Sequence, residues 1–286
     1  MLILDALASS QTLFVSTAVA LGLIVGSFLN VVILRLPVMM QKSWRQQCVE
    51  YLELEAEPDE EPAFNLVTPR SRCPGCGRGI MAWQNIPVLS WLALRGRCGA
   101  CGQSISPRYP IIEALTGVLT GCVAYHFGYG APAAAGMALT WALIALTWID
   151  LDHQLLPDDI TLPFLWLGLA LSLVPVFASP ADAILGAVGG YGVLWCVFHG
   201  FKQLTGKEGM GHGDFKLLAV LGAWFGWKLL PLVIFFASAV AAIVGIALIA
   251  FRNHNRQMPI PFGPYLAAAG WLAMLYGHQV MDWYLG

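Results

Sequence analysis

Long apolar segments separated by short polar connections run through almost the whole chain. Eight such segments can be distinguished: Leu13–Leu36, Ile111–Phe127, Ala133–Ile149, Ile160–Phe177, Ala183–Phe201, Phe215–Trp227, Leu229–Phe251 and Phe262–Leu285. A helix rises about 1.5 Å per residue, so it needs about 20 mainly apolar residues to cross a bilayer. The run 215–251 is too long for one span, and Lys228 and Pro231 near its middle suit a turn. The pattern predicts an all-α polytopic membrane protein with about eight transmembrane helices.

Composition supports this class of protein. Of the 286 residues, 58% are hydrophobic and only 11% are charged, and the mean hydropathy is +0.68. Soluble domains carry about 25% charged residues, more than twice this share. The formal net charge of -2 points to no particular partner. No basic residue precedes the first apolar run, so no cleavable signal peptide is predicted.

The basic residues predict the orientation, because lysine and arginine concentrate in cytoplasmic loops. With the loop 37–110 in the cytoplasm and eight spans, every lysine and arginine except Lys228 lies on the cytoplasmic side. Seven spans would move Arg252 and Arg256 to the opposite face. We therefore predict three regions: a first transmembrane helix (1–36), a cytoplasmic loop (37–110) and a transmembrane bundle (111–286).

Four cysteines in this loop are spaced as metal ligands. Cys73 and Cys76 form one CxxC pair, and Cys98 and Cys101 form a second. Two such pairs can bring four thiolates to one tetrahedral zinc ion, as in zinc ribbons. Two disulfides are the alternative, but they are rare in a reducing cytoplasm. The spacing predicts a zinc-ribbon-like segment at 73–101 whose zinc is structural, because four thiolates leave no open coordination position.

Two aspartates lie where predicted helices meet the cytoplasmic edge. Asp150 ends the third apolar segment, in "LTWIDLDHQLLPDD", and Asp214 begins the sixth, in "GMGHGDFKLL". An ionisable residue at a membrane span is expensive and therefore indicates function. Two close carboxylates share one proton, so one can act as base and the other as acid in aspartyl proteolysis. Gly211 and Gly213 would let the backbone approach closely.

Other interpretations of these residues remain open. Aspartate is a good N-cap, and Asp214 lies where a helix begins. Asp150 fits capping less well, because a negative charge at a helix C-terminus opposes the helix dipole. A proton- or cation-coupled transporter would instead place ionisable groups in the middle of spans. A zinc-dependent membrane scaffold would need the cysteines but not the aspartates.

Several motifs together resemble those of the bacterial type IV prepilin peptidases, a family of GxGD aspartyl proteases. They are "GSFLNVVILRLP", "SRCPGCG", "NIPVLSWLALRGRCGACGQSISPRYPIIE", "IDLDHQLLPDDITLP", "GHGDFKLLAVLGAWFG" and "IPFGPYLAAAG". They occur in the family's order along nearly the whole chain. The resemblance implies that Asp150, seven positions before Pro157, and Asp214 of the GxGD element are the catalytic pair.

The resemblance also implies substrates, a methyl donor and a location. It implies removal of the basic leader of type IV prepilins and type II secretion pseudopilins after a glycine. The new N-terminal residue, usually phenylalanine, would then be N-methylated with S-adenosylmethionine. The protein would lie in the lipid of the bacterial inner membrane, with its zinc segment and both aspartates at the cytoplasmic side and no nucleic-acid partner.

The methyl-donor site has no familiar sequence signature, because no glycine-rich dinucleotide fingerprint follows a strand. Gly96 and Glu113 are candidates for this site by their position beside the zinc segment. The alternative interpretation of Glu113 is an interfacial carboxylate paired with Arg108.

Overall fold

A computed structural model describes residues 2–54, 64–207, 209–252 and 260–285. The chain divides into two compact units, Met1–Tyr129 and Gly130–Gly286. Helices dominate both, and within the described ranges the only β-type pairing is two isolated bridges. The predicted all-α membrane class is confirmed. Five of the described helices are long and apolar enough to cross a membrane, so a count of eight spans stays a prediction.

The first unit consists of two long helices and a loop region. Its helices are α1 (Leu2–Ser9), α2 (Gln11–Tyr51), α3 (Leu89–Ala93) and α4 (Arg108–Phe127), with a 3-10 turn at Ala82–Asn85. The prediction ended the first apolar segment at Leu36, whereas α2 continues to Tyr51. Pro37 does not end it, because the polar stretch that follows is rich in Gln, Lys and Arg, which are good helix formers.

Small residues bring α2 and α4 together. A Cβ atom at Gly22 would lie 2.6 Å from Oγ1 of Thr120, and one at Gly26 would lie 2.7 Å from Cα of Glu113. Such small residues at four-residue spacing let two membrane helices pack backbone to backbone. Asn30, one turn further along α2, donates from Nδ2 to the Tyr109 carbonyl at 3.2 Å. This packing fixes the base of the loop region against α2.

Within the residues that the structure describes, the second unit contains a bundle of six α-helices. They are α5 (Ala131–His153), α6 (Asp158–Ser172), α7 (Pro180–Thr205), α8 (His212–Phe225), α9 (Leu230–Arg252) and α10 (Gly263–Leu285). The predicted turn near Lys228 is confirmed, since a 3-10 turn at Trp227–Leu229 separates α8 from α9. The side chain of Arg252 and all of Arg256, which entered the prediction of orientation, lie outside the described residues.

The short helix α8 is the core of this bundle. It has 14 residues, and from Asp214 to Phe225 every side chain except Lys216 is buried. A helix that is apolar all round is a buried helix. Gly186 of α7 meets the Gly222 backbone directly, and Trp224 donates from Nε1 to the Phe164 carbonyl of α6 at 2.7 Å. The short sixth apolar segment is therefore a buried helix that packs against α6 and α7.

Candidate active site and metal centre

Asp150 lies at the end of α5 in a buried position. Its side chain is 5% exposed, and its Oδ2 accepts a hydrogen bond of 3.0 Å from the backbone N–H of Gly263. A Cβ atom at position 263 would lie 2.6 Å from the same oxygen. Only glycine therefore allows the first turn of α10 to come this close to the carboxylate. The helix ends at His153, and the residue that follows it, Gln154, takes a left-handed conformation.

Asp214 occupies the first turn of α8 and is 6% exposed. It is not the N-cap residue, because that position is taken by Gly211 in an extended conformation. The Asp214 carboxylate accepts a hydrogen bond from the Gly211 backbone N–H. This contact resembles half of a capping box. Asp214 therefore supports the helix end, and the same buried carboxylate remains a candidate for chemistry.

The structure brings these two aspartates together. The charge of Asp150 acts on the Asp214 carboxyl group, so the two lie within electrostatic range. Leu156, in the turn after α5, packs beside the glycines next to these aspartates: a Cβ atom at Gly213 would lie 2.8 Å from its Cβ, and one at Gly263 would lie 3.2 Å from its Cδ2. The glycines on either side of Leu156 thus allow the start of α8 and the start of α10 to close around the end of α5. The aspartates lie at helix ends, not in the middle of spans.

Gly263 was not predicted as a site residue. It lies in the motif "IPFGPYLAAAG", between Phe262 and Pro264. A glycine followed by proline at the start of an apolar run indicates a helix start with unusual backbone demands. That signal was present, but nothing in the sequence indicates which carboxylate the glycine would meet.

The other ionisable residues near the dyad have different surroundings. Lys216 forms an ion pair with Asp158 of α6, with Nζ 2.6 Å and 2.8 Å from the two carboxylate oxygens. The ring of His212 packs between those of Phe198 and Phe215, at centroid distances of 5.0 Å and 5.3 Å. Asp152 is exposed. Lys216 thus links the second turn of α8 to the first turn of α6.

The four loop cysteines converge in the first unit. Their sulfur atoms lie within 4.8 Å of one another, and those of Cys73 and Cys101 are 3.7 Å apart. A tetrahedron of zinc–sulfur bonds of about 2.3 Å has edges of about 3.8 Å, so the cluster fits such a metal. None of the four is in a disulfide. The four cysteines could hold one metal ion by themselves, because four thiolates complete a tetrahedral site.

The two cysteine pairs have the same backbone geometry. The N–H of Cys73 donates to the Arg78 carbonyl, and the N–H of Cys98 donates to the Gln103 carbonyl. Gly77 and Gly102 follow the pairs with φ of 68° and 74°. In the second pair the backbone N–H groups of Cys101 and Ala100 point at the Cys98 sulfur and lower its pKa to about 6. Thiolates are the form that binds metal.

A cavity of about 520 Å³ adjoins this cluster and is lined by Cys73, Cys98, Trp91 and Glu113, among others. Glu113 is buried, and its Oε2 accepts a hydrogen bond of 2.7 Å from the Val88 backbone N–H. Gly96 has a φ of 66°, and a Cβ atom there would lie 2.8 Å from the ring of Trp91. Both predicted methyl-donor residues are therefore placed at or directly behind the wall of one cavity.

Comparison with known proteins gives matches along most of the chain. Residues 20–127 match the Bacterial Peptidase A24 N-terminal domain, and residues 137–246 match the Type IV leader peptidase family. Three relatives are each named prepilin leader peptidase/N-methyltransferase. The one from Stutzerimonas stutzeri is 57% identical over 98% of this chain and 96% of its own length. Those from Pseudomonas aeruginosa (54%; 99% and 97%) and Neisseria gonorrhoeae (47%; 95% and 94%) are similar over comparable lengths. No solved structure matches.

Proposed function

Because the chain belongs to the type IV leader peptidase family, we propose that it removes the leader of type IV prepilins and type II secretion pseudopilins and methylates the new N-terminus. It is a membrane enzyme with protease and N-methyltransferase activity. Its place is the bacterial inner membrane, and the lysine and arginine distribution favours the cytoplasmic side for the loop 37–110.

We assign peptide cleavage to Asp150 and Asp214. One carboxylate takes a proton from the attacking water while the other, protonated, gives its proton to the scissile carbonyl or leaving amine. The observation that carries this assignment is the convergence of two buried carboxylates at the ends of α5 and α8. The Gly263 N–H, 3.0 Å from Oδ2 of Asp150, orients one member of the pair. Gly211 and Gly213 supply the close approach that α8 needs.

We assign methyl transfer to the cavity in the first unit. Ligand pockets in proteins usually have volumes of about 300–1,000 Å³, and a cavity of about 520 Å³ falls within this range. S-adenosylmethionine is the donor that it would hold, between the cysteine cluster and α4. Zinc at Cys73, Cys76, Cys98 and Cys101 would shape this wall, while S-adenosylmethionine supplies the transferable methyl group.

The proteolytic assignment is tested with purified protein in nanodiscs and a full-length prepilin. Asp150→Asn is expected to lower leader removal by at least about 10²-fold, because the pair loses its proton transfer. Asp152→Asn is a matched control, since Asp152 is an exposed aspartate two residues away. Mass spectrometry scores the leader and the added methyl group separately. Near wild-type cleavage by Asp150→Asn would rule out the dyad.

A further inference from the structure

One acidic side chain faces the cavity of the first unit. Among the described residues that line it, Glu113 is the only aspartate or glutamate, and none is a histidine or lysine. Glu113 lies in the second turn of α4 with only 9% of its surface exposed. A buried carboxylate must be paired or hydrogen-bonded to be tolerated. Its surroundings therefore need to be accounted for.

Two donors hold this carboxylate in place. The Val88 N–H donates to Oε2 at 2.7 Å, and the Ser27 hydroxyl of α2 donates a second hydrogen bond. An ionised carboxylate can accept about four hydrogen bonds, so these two leave capacity for a ligand. Val88 has a φ of 59°, which is unusual for a β-branched residue. Strained positions of this kind cluster at functional sites.

The remaining charged and titratable groups around the cavity come from several elements. Arg35 of α2 donates to the carbonyls of Asn65 (2.8 Å) and Pro69 (2.6 Å). The other such groups on the cavity wall are Arg72, Tyr109 of α4, Cys73 and Cys98. The arginines stay protonated, and the two thiols belong to the metal cluster. Glu113 is therefore the carboxylate on this wall that can accept a proton from a bound peptide.

N-methylation of a peptide N-terminus requires such a group. A peptide α-amino group has a pKa of about 7.7–8.0, so at neutral pH most of it is ammonium without a free lone pair. Resting on the proposed function, we propose that Glu113 accepts the proton of the pilin's new N-terminal ammonium during methyl transfer.

In this step the proton moves from nitrogen to the Glu113 carboxylate, and the freed nitrogen lone pair forms a bond to the methyl carbon. The carbon–sulfur bond of the donor breaks, and its electron pair stays on sulfur. The positive charge of the sulfonium thus passes to the nitrogen, and the products are the N-methylammonium group, the neutral thioether and protonated Glu113. No further reactant is required.

The test uses full-length protein, an already processed pilin peptide and radiolabelled S-adenosylmethionine between pH 6 and 10. Glu113→Gln is expected to lower methylation at pH 7 by up to about tenfold and to recover most of it above pH 9, where the peptide amine is already neutral. Glu113→Asp should keep the wild-type pH profile at a lower rate. Donor affinity, measured by equilibrium dialysis without peptide, should change by less than about threefold in both, because the proton comes from the peptide and not from the donor.

Controls separate this role from folding and from donor binding. Glu50→Gln, an exposed acid on α2, should behave as wild type, and thermal unfolding is compared for all variants. Equal loss at every pH together with lost donor binding would show that Glu113 binds the donor, which overturns the proposal. Methylation at the wild-type rate by Glu113→Gln would by itself overturn the proposed role of Glu113. A wild-type protein that never methylates would overturn the proposed methyltransferase itself.

Discussion

The two candidate sites are built in opposite ways, one in each compact unit. In residues 130–285 the aspartates are carried by helix ends and are buried by close backbone contact, with Gly213 and Gly263 leaving no room for a side chain. In residues 2–129 the cavity is bordered by turns whose backbone takes left-handed conformations, as at Val88 and Gly96. Helix packing fixes the first site, whereas the four-cysteine cluster and hydrogen bonds border the second.

This difference implies that the two activities fail in different ways. A helix-end site depends on single atoms near the carboxylates, so small changes there should abolish cleavage selectively. The cavity in residues 2–129 is bordered by turns that the cysteine cluster holds together. Loss of the metal should therefore lower methylation more than it lowers cleavage. Each prediction below tests one side of this contrast.

The largest expected effect is that of removing the second carboxylate. Asp214→Asn should reduce leader removal by about 10²- to 10⁴-fold, because an amide can neither accept nor give up the shared proton. Methylation of an already processed pilin should persist, since Asp214 belongs to the helix-end site. The measurement is single-turnover cleavage and methylation on the same protein. Parallel loss of both activities would contradict the separation of the two sites.

The next largest effect is expected at Gly263, where a methyl group would collide with Oδ2 of Asp150 at 2.6 Å. Gly263→Ala should lower cleavage by up to about 10²-fold, because a misplacement of about 1 Å can cost this much. Gly189→Ala is the matched control, since its Cβ atom would make only an ordinary contact of 3.8 Å with Leu230. Equal cleavage by the two variants would show that the Gly263 contact is not required.

Replacement of one cysteine of the cluster should affect the methylation site in residues 2–129. Cys73→Ser is expected to remove the bound metal and to lower methylation at least about tenfold, while cleavage falls less. Cys122→Ser, which changes an exposed cysteine outside the cluster, is the control. Metal content is measured by elemental analysis beside both activities. Unchanged metal content in Cys73→Ser would refute the four-cysteine site.

Metal binding at the cysteine cluster should weaken as the pH falls. The pKa of Cys98 is lowered from 9.0 to about 6, chiefly by the backbone N–H groups of Cys101 and Ala100. A depressed thiol pKa stabilises the fold above about pH 9, and this contribution is lost as the pH falls towards 6. Removal of metal by a chelator should therefore accelerate as the pH falls, because protons compete with the metal for the thiolates. A rate independent of pH would contradict thiolate ligation.

The sequence predicted the two sites unequally. Spacing alone grouped the four cysteines, because CxxC pairs fold as local turns whose geometry is contained within each pair. The burial of Asp150 and Asp214 depends on which helices pack beside them. The contact between Gly263 and Asp150 spans 113 positions of the chain, and no local pattern encodes it. The extension of α2 to Tyr51 was missed because its polar second half lacks the apolar signal used to delimit helices.

The smallest expected effect is at the ion pair between Lys216 and Asp158. It links the second turn of α8 to the first turn of α6, with Lys216 two positions after Asp214, but its side chains are 31% and 53% exposed. Exposed ion pairs contribute about 0–1 kcal/mol, so Lys216→Met should lower cleavage by no more than about fivefold. The charge-exchanged variant, with Lys216→Asp and Asp158→Lys together, should recover part of this loss if the attraction positions α8. If packing of the lysine side chain positions α8, Lys216→Met should retain cleavage activity. The charge-exchanged variant should then cleave more slowly than Lys216→Met. The comparison shows whether charge has any role in a site that is otherwise fixed by close helix packing.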